Sequence, residues 1–213
     1  MGTQVVILGT HLFAEEVADL VEQVPDHELA AFCENWDRDR CAQPLLGRPV
    51  VWIDDLADLA ADHLAVCAIG TTRRRGFVEQ AAAAGIGFVT LRHPTATVFP
   101  SARIGEGCIL GAGTVVAART EVGRHTILNR GVLVGHHARV GDYVTLSPAA
   151  NVAGATRIGD GVYVGMGAAV LDRLEIGAGS VIGAGAVVTR DMPAGVQALG
   201  VPARVVREGV ERR

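Results

Sequence analysis

Aromatic residues are scarce in this chain, at 4 % of 213 residues, so its apolar content rests on Ala, Val, Leu and Ile, interspersed with 27 glycines. Side chains of that size suit thin, repetitive packing better than one bulky core. The four cysteines, Cys33, Cys41, Cys67 and Cys108, form no CxxC pair and have no histidine partner at zinc-finger spacing. They read as buried or free thiols in a reducing compartment, which excludes a disulfide scaffold and a zinc ribbon. Long basic runs are also missing and the formal net charge is -4, so neither nucleic acid nor an anionic membrane is a favoured partner. The one basic cluster, in "TTRRRG" from Thr71 to Gly76, reads as a solvated helix start. The sequence has no long apolar run and no basic n-region at its N-terminus, so neither membrane insertion nor secretion is expected and the location reads as cytoplasmic.

Two rhythms divide what is present. From Gln4 to about Pro94, short apolar runs alternate with helical patterns. Val5 to Gly9, "LAAFCEN", Val50 to Ile53, Leu64 to Gly70 and Gly87 to Leu91 read as strands. Ala14 to Val24, "DDLADLAAD" and "RRGFVEQAAAAG" read as helices between them. This alternation predicts a small parallel α/β sheet. The loop after the first strand, "GTHLFAEEV", retains only Gly9 and holds no GxGxxG, which argues against a dinucleotide cofactor.

From Val98 the period becomes six. Sixteen consecutive aliphatic residues, from Val98 through Ile104 and Leu110 to Val188, recur without a slip, and nine of them are followed by Gly. A hexapeptide period predicts a parallel β-helix. With three hexads per coil, residues eighteen apart stack, so Val98, Val116, Val134, Val152, Val170 and Val188 form one inward ladder. A second runs from Ile104 to Ile176 and a third from Leu110 to Ile182. Every member of the second ladder precedes a glycine, at 105, 123, 141, 159 and 177, as expected if that corner needs torsions closed to other residues. A repeat prism needs covered ends, and the segment from 193 to 213 is the expected cap.

The hexad repeat, the "LGVPARVV" tail (Leu199 to Val206), the "HPTA" junction at His93 and "GHHARVGD" together resemble the left-handed β-helix, hexapeptide-repeat sugar acetyltransferases. That family includes the nucleotide-amino-sugar N-acetyltransferases of the bacillosamine and perosamine pathways and the sialic acid O-acetyltransferases. The resemblance implies a Rossmann-like α/β domain over 1–94 that binds the acceptor's nucleotide, a left-handed β-helix over 95–192 and the capping tail. It also implies acetyl-CoA as co-substrate, no metal, and sites between subunits of a homotrimer.

Carried over residue by residue, the resemblance makes His136, five residues before Gly141, the catalytic base. His137 stands where the amino-sugar enzymes commonly place a Glu that raises the basicity of the His. The eighteen-residue stacking sets His136 between Ala118 and Gly154, leaving room for a substrate, and His137 between Arg119 and Ala155. A histidine suits removal of the proton from an attacking amine. Asn129 resembles the substrate-facing Asn of the family. Thr145, Gly165, Met166 and Ala184 match positions lining the pantetheine arm, and Arg204, with Arg207, could meet cofactor phosphates. His11, Leu12, Phe13, Glu34, Asn35 and Gly70 match the acceptor-nucleotide site, with Arg75 nearby.

The expected function is therefore transfer of an acetyl group from acetyl-CoA to the amino group of a nucleotide-linked deoxyamino sugar. O-acetylation of the sialic acid type is the alternative within enzymes. A metal protein like the γ-class carbonic anhydrases, drawing on His125, His136 and His137, or an inactive binding scaffold, are the alternatives of another class.

Overall fold

The computed structural model describes residues 2–210, and these form two compact units that divide between Leu91 and Arg92. Residue 1, at the start of the expected first domain, and residues 211–213, at the end of the expected tail, lie outside the described residues.

The first unit is built on five parallel strands: β1 (Thr3–Leu8), β2 (His27–Glu34), β3 (Val50–Trp52), β4 (His63–Cys67) and β5 (Gly87–Phe88), in the order β3-β2-β1-β4-β5. Val5, Val6, Ile7 and Leu8 are all fully buried, as a central strand of a parallel sheet with both faces covered requires. Helix α1 (Leu12–Gln23) buries Ala14, Val17, Ala18, Leu20 and Val21, the stripe that its spacing predicts. Helix α2 (Arg75–Ala83) buries Phe77, Val78 and Ala81. The helix expected over "DDLADLAAD" is a 3-10 helix, Ile53–Leu59, whose one buried residue is Leu56. Without an apolar stripe, nothing holds it as a longer α-helix.

The second unit is a left-handed β-helix. Each hexad contributes a two-residue strand whose second residue points inward, and the eighteen-residue register is observed directly. Val116 pairs with Val98 and Val134, Val140 with Val122 and Ile158, and Leu146 with Leu128 and Val164. The first face presents Val115, Leu133, Asn151, Ala169 and Val187 outward, and the second presents Arg103, Glu121, Arg139, Arg157 and Glu175. The third carries Ile109, Ile127, Thr145, Tyr163 and Val181. After the last coil, Gln197–Leu199 extends the third face in parallel and Arg204–Arg207 returns antiparallel to it. Val196, Ala198 and Ala203 from this segment join the aliphatic core.

The glycines after the second ladder are there for a different reason from the one expected. None of Gly105, Gly123, Gly141, Gly159 and Gly177 adopts a positive φ. Instead the coils approach so closely that a Cβ on Gly105 would lie 2.8 Å from the Arg124 backbone nitrogen, and one on Gly159 would lie 2.6 Å from that of Ala178. The left-handed torsions fall two residues later, at Gly107 (φ 68°), His125 (φ 53°), Tyr143 (φ 58°), Gly161 (φ 65°) and Gly179 (φ 71°). No helix among the described residues is long and apolar enough to cross a membrane.

Candidate active site

His136 and His137 occupy the corner between the first and second faces, directly after the rung Leu133–Val134. Both are exposed. The coil fixes them through its backbone: His137 N–H donates to the Ala118 carbonyl at 2.9 Å, and the His136 carbonyl accepts from Ala155 N–H at 2.8 Å. The predicted small neighbour matters sterically, because a Cβ on Gly154 would lie 2.8 Å from His136 Cε1 and 2.9 Å from Nε2. The imidazole thus lies flat over a glycine. Its Nδ1 stands 3.1 Å from His137 Nδ1, with the two rings at 88°. His136 Nε2 makes no hydrogen bond among the described residues.

A groove of about 350 Å³ runs along the corner between the third and first faces, lined by Gly165, Met166, Ala184, Arg130, Tyr163 and Gln197 among others. Three of the four positions expected to line the pantetheine arm meet here. The fourth, Thr145, is buried beside Tyr163 in the same sheet. The side-chain oxygen of Asn129 accepts the Arg130 N–H at 2.7 Å, so Asn129 shapes this corner and not that of His136. Met166 is exposed, and small residues above and below leave a shallow apolar channel suited to a pantetheine arm. Arg204 is exposed, its guanidinium donating to the Ala203 carbonyl at 3.0 Å. Within one chain the outward side chains of the first face separate the two corners.

In the α/β unit, His11, Phe13, Glu34, Asn35 and Gly70 come together at the C-terminal ends of β1, β2 and β4, the edge where parallel sheets bind ligands. The Thr10 hydroxyl donates to Glu34, whose other oxygen accepts the backbone N–H groups of Asn35 and Trp36, each at 2.9 Å. Burial pushes the Glu34 carboxyl up, but these donors outweigh it and hold it below its ordinary range. Glu34 therefore spends its carboxylate on shaping the loop. Asn35 donates to Gln80 at 2.8 Å. Arg40 donates to the Thr10 carbonyl at 3.0 Å and stands 3.4 Å from His11 Nδ1. It lines a cavity of about 410 Å³ with Thr10, Asp37, Asp39, Leu45 and Val50. Gly70 faces the Phe13 ring, and Leu12 and Trp36 project into solvent, Trp36 at 90 % exposure.

Sequence reasoning missed Thr10 and Arg40, whose roles depend on a cross-strand meeting. It also missed a basic cluster beside His137, although the eighteen-residue spacing of Arg139 and Arg157 was a usable signal. The three histidines of the metal alternative do not converge: His125 sits at a different corner, stacked on Tyr143 at 5.2 Å. Among the described residues no group of three or more His, Cys, Asp or Glu could hold a metal. Burial pushes the Cys33 thiol up to about 12 and that of Cys67 to about 11, so neither serves as a nucleophile.

Comparison with known proteins agrees with this geometry. Residues 155–190 match the family described as bacterial transferase hexapeptide (six repeats). Among solved structures, a histidine-to-asparagine variant of perosamine N-acetyltransferase from Caulobacter crescentus, in complex with CoA and GDP-perosamine, superposes with a TM-score of 0.90. It is 33 % identical, over 98 % of this chain and 98 % of that one. WeeI from Acinetobacter baumannii AYE is 31 % identical over 96 % of this chain and 100 % of its own, with a TM-score of 0.87. The acetyltransferase domain of PglB from Neisseria gonorrhoeae FA1090 shows the same identity and coverage with a TM-score of 0.85. No curated protein matches the sequence. A histidine-bearing corner, a shallow apolar channel beside Met166 and relatives that span nearly the whole chain lead to one assignment: the chain belongs to the hexapeptide-repeat sugar N-acetyltransferases.

Proposed function

We propose that the protein transfers an acetyl group from acetyl-CoA to the amino group of a nucleotide-linked deoxyamino sugar, with His136 as general base. The observation that carries this reading is the His136 ring, seated on Gly154, bonded to His137 through Nδ1 and open at Nε2. The relative solved with CoA and GDP-perosamine supports the substrate class.

The Nδ1–Nδ1 contact has a chemical consequence. Only one of the two nitrogens can carry the proton that lies between them. For His136 Nε2 to keep a free lone pair, His136 must hold its proton on Nδ1 and donate it to His137 Nδ1, leaving His137 protonated on Nε2. In that state His136 Nε2 removes the proton as the sugar amine attacks the thioester carbon. The new C–N bond forms, the C–S bond breaks and the proton passes on to the departing thiolate. Acetyl-CoA supplies the activated acyl group, and the channel beside Met166 and Ala184 would hold its arm.

That channel and His136 stand at different corners of one prism, so a single chain does not complete the site. The first face between them is largely apolar outward, with Val115, Leu133, Ala169 and Val187, and Leu133 is 42 % exposed. Packing of neighbouring copies there would bring one copy's histidines to another's channel, which supports a homotrimer. We assign residues 1–94 as a Rossmann-like acceptor-nucleotide domain on the strand order of its parallel sheet, residues 95–192 as the acyltransferase prism and 193–213 as its cap. Thiol release from acetyl-CoA, measured against UDP-, GDP- and dTDP-linked amino sugars and free sialic acid, tests the function. Turnover with an amino sugar is the expected result, whereas turnover with sialic acid alone would overturn it.

A further inference from the structure

The second face next to the histidine corner carries a cluster that acyl transfer, as described, does not use. Arg119, Arg139, Arg157, Glu121 and His137, with Ala155 as floor, line a cavity of about 350 Å³. Three guanidiniums face one carboxylate. Arg139 and Arg157 are direct register partners on adjacent parallel strands, an arrangement in which like charges repel. Glu121 answers only one of them, at 3.8 Å from Arg139 Nε. Glu175 follows Arg157 in register, yet among the described residues neither Arg157 nor Arg119 makes an ion pair. Cations gathered in a concave place make a positive site suited to an anion.

We infer that this cavity binds a phosphoanhydride, and that its source is the diphosphate linking sugar to nucleotide in the acceptor. Guanidinium forks match phosphate oxygens bidentately, so arginine is the side chain suited to this task. Placement decides the source. The cavity is lined by His137, the chain neighbour of the proposed base, and a sugar amine at His136 leaves the diphosphate only a pyranose ring away. The phosphates of CoA lie beyond the whole pantetheine arm from the reacting carbon. The site would make the enzyme read a nucleotide-linked sugar and reject a free one. The inference rests on the acyl-transfer reading for its choice of ligand, but not for its test.

Calorimetric titration of the full chain with inorganic pyrophosphate, at fixed ionic strength, reads the site without turnover. Arg119→Gln and Arg157→Gln alter exposed side chains, and each should weaken pyrophosphate binding by about tenfold or more, as loss of a charged hydrogen bond implies. Arg173→Gln, at the same corner but outside the cavity, should leave binding unchanged. GDP, UDP or dTDP should displace pyrophosphate. The proposal is overturned by no pyrophosphate binding, by equal weakening in all three variants, or by displacement with CoA and not with the nucleotides. Pyrophosphate binding without acetyl transfer to any amino sugar would fail the acyl-transfer reading and leave the anion site standing.

Discussion

The imidazole of His136 rests against the α-carbon of Gly154, one coil further along the prism, with no room between them for a methyl group. Gly154 has no positive φ, so its backbone accepts alanine. The strain of Gly154→Ala would fall on the ring, which must swing away. Small misplacements of a catalytic group cost up to about 10²-fold. Gly154→Ala should therefore lower kcat by about 10- to 100-fold while the melting temperature barely changes. A variant that unfolds early, or one with unaltered kcat, contradicts the seating described.

His136→Ala should remove about 10²- to 10⁴-fold of kcat, the usual worth of a general base. The informative comparison is at the neighbouring position. If His137 acts as hydrogen-bond acceptor for His136 Nδ1–H, His137→Ala should lower kcat by about tenfold with little change in either KM. His137→Gln, whose side-chain oxygen can accept the same bond, should recover most of it. Equal loss in both variants would mean that His137 does not position the base.

The hexad ladder could be read from the sequence because each rung has one inward residue and nowhere else for an aliphatic side chain to go. Val134 and Val140, as consecutive rungs, thereby place both histidines at the corner between them. The reason for Gly141 was not readable in the same way, since a forbidden torsion and a close backbone approach both select glycine. Only the eighteen-residue stacking of real atoms separates them. The strands of the α/β unit were recognisable as apolar runs, but their order depends on pairings between distant segments. Glu34 shows the same limit: its position at the end of β2 was evident, whereas its engagement by Thr10 and two backbone N–H groups arises from β1 lying beside β2.

The two kinds of corner glycine should respond differently to substitution. In Gly159→Ala the new methyl would meet the Ala178 backbone nitrogen at 2.6 Å and its α-carbon at 2.8 Å, atoms that cannot yield without separating two coils. Overpacking of that type costs about 1–3 kcal/mol. Gly167 has φ +66° and open space around it, and Ala149 and Ala155 already adopt such torsions at 58° and 56°. Gly167→Ala should cost about 1 kcal/mol, from the torsion alone. Denaturant midpoints of the two variants measure the difference, and a larger loss at Gly167 would reverse the assignment of causes.

Glu34 makes the stability of the α/β unit sensitive to acid. Its carboxyl is held below the ordinary value of 4.5: burial raises it, but the Thr10 hydroxyl and the N–H groups of Trp36, Asn35 and Asp37 lower it further. In the unfolded chain those donors are gone and the group titrates at its ordinary value. Above that value Glu34 is ionised in both states, and the native donors stabilise the fold in full. As pH falls from the unfolded value towards the lowered native one, the unfolded chain takes up the proton first and the contribution drains away. Glu34→Gln removes the titration and part of the donor satisfaction. The melting-temperature gap between the native chain and Glu34→Gln should be widest near neutrality and narrow steadily below pH 4.5. A gap that stays constant through that range would show that the charge on Glu34 contributes nothing to holding the loop after β2.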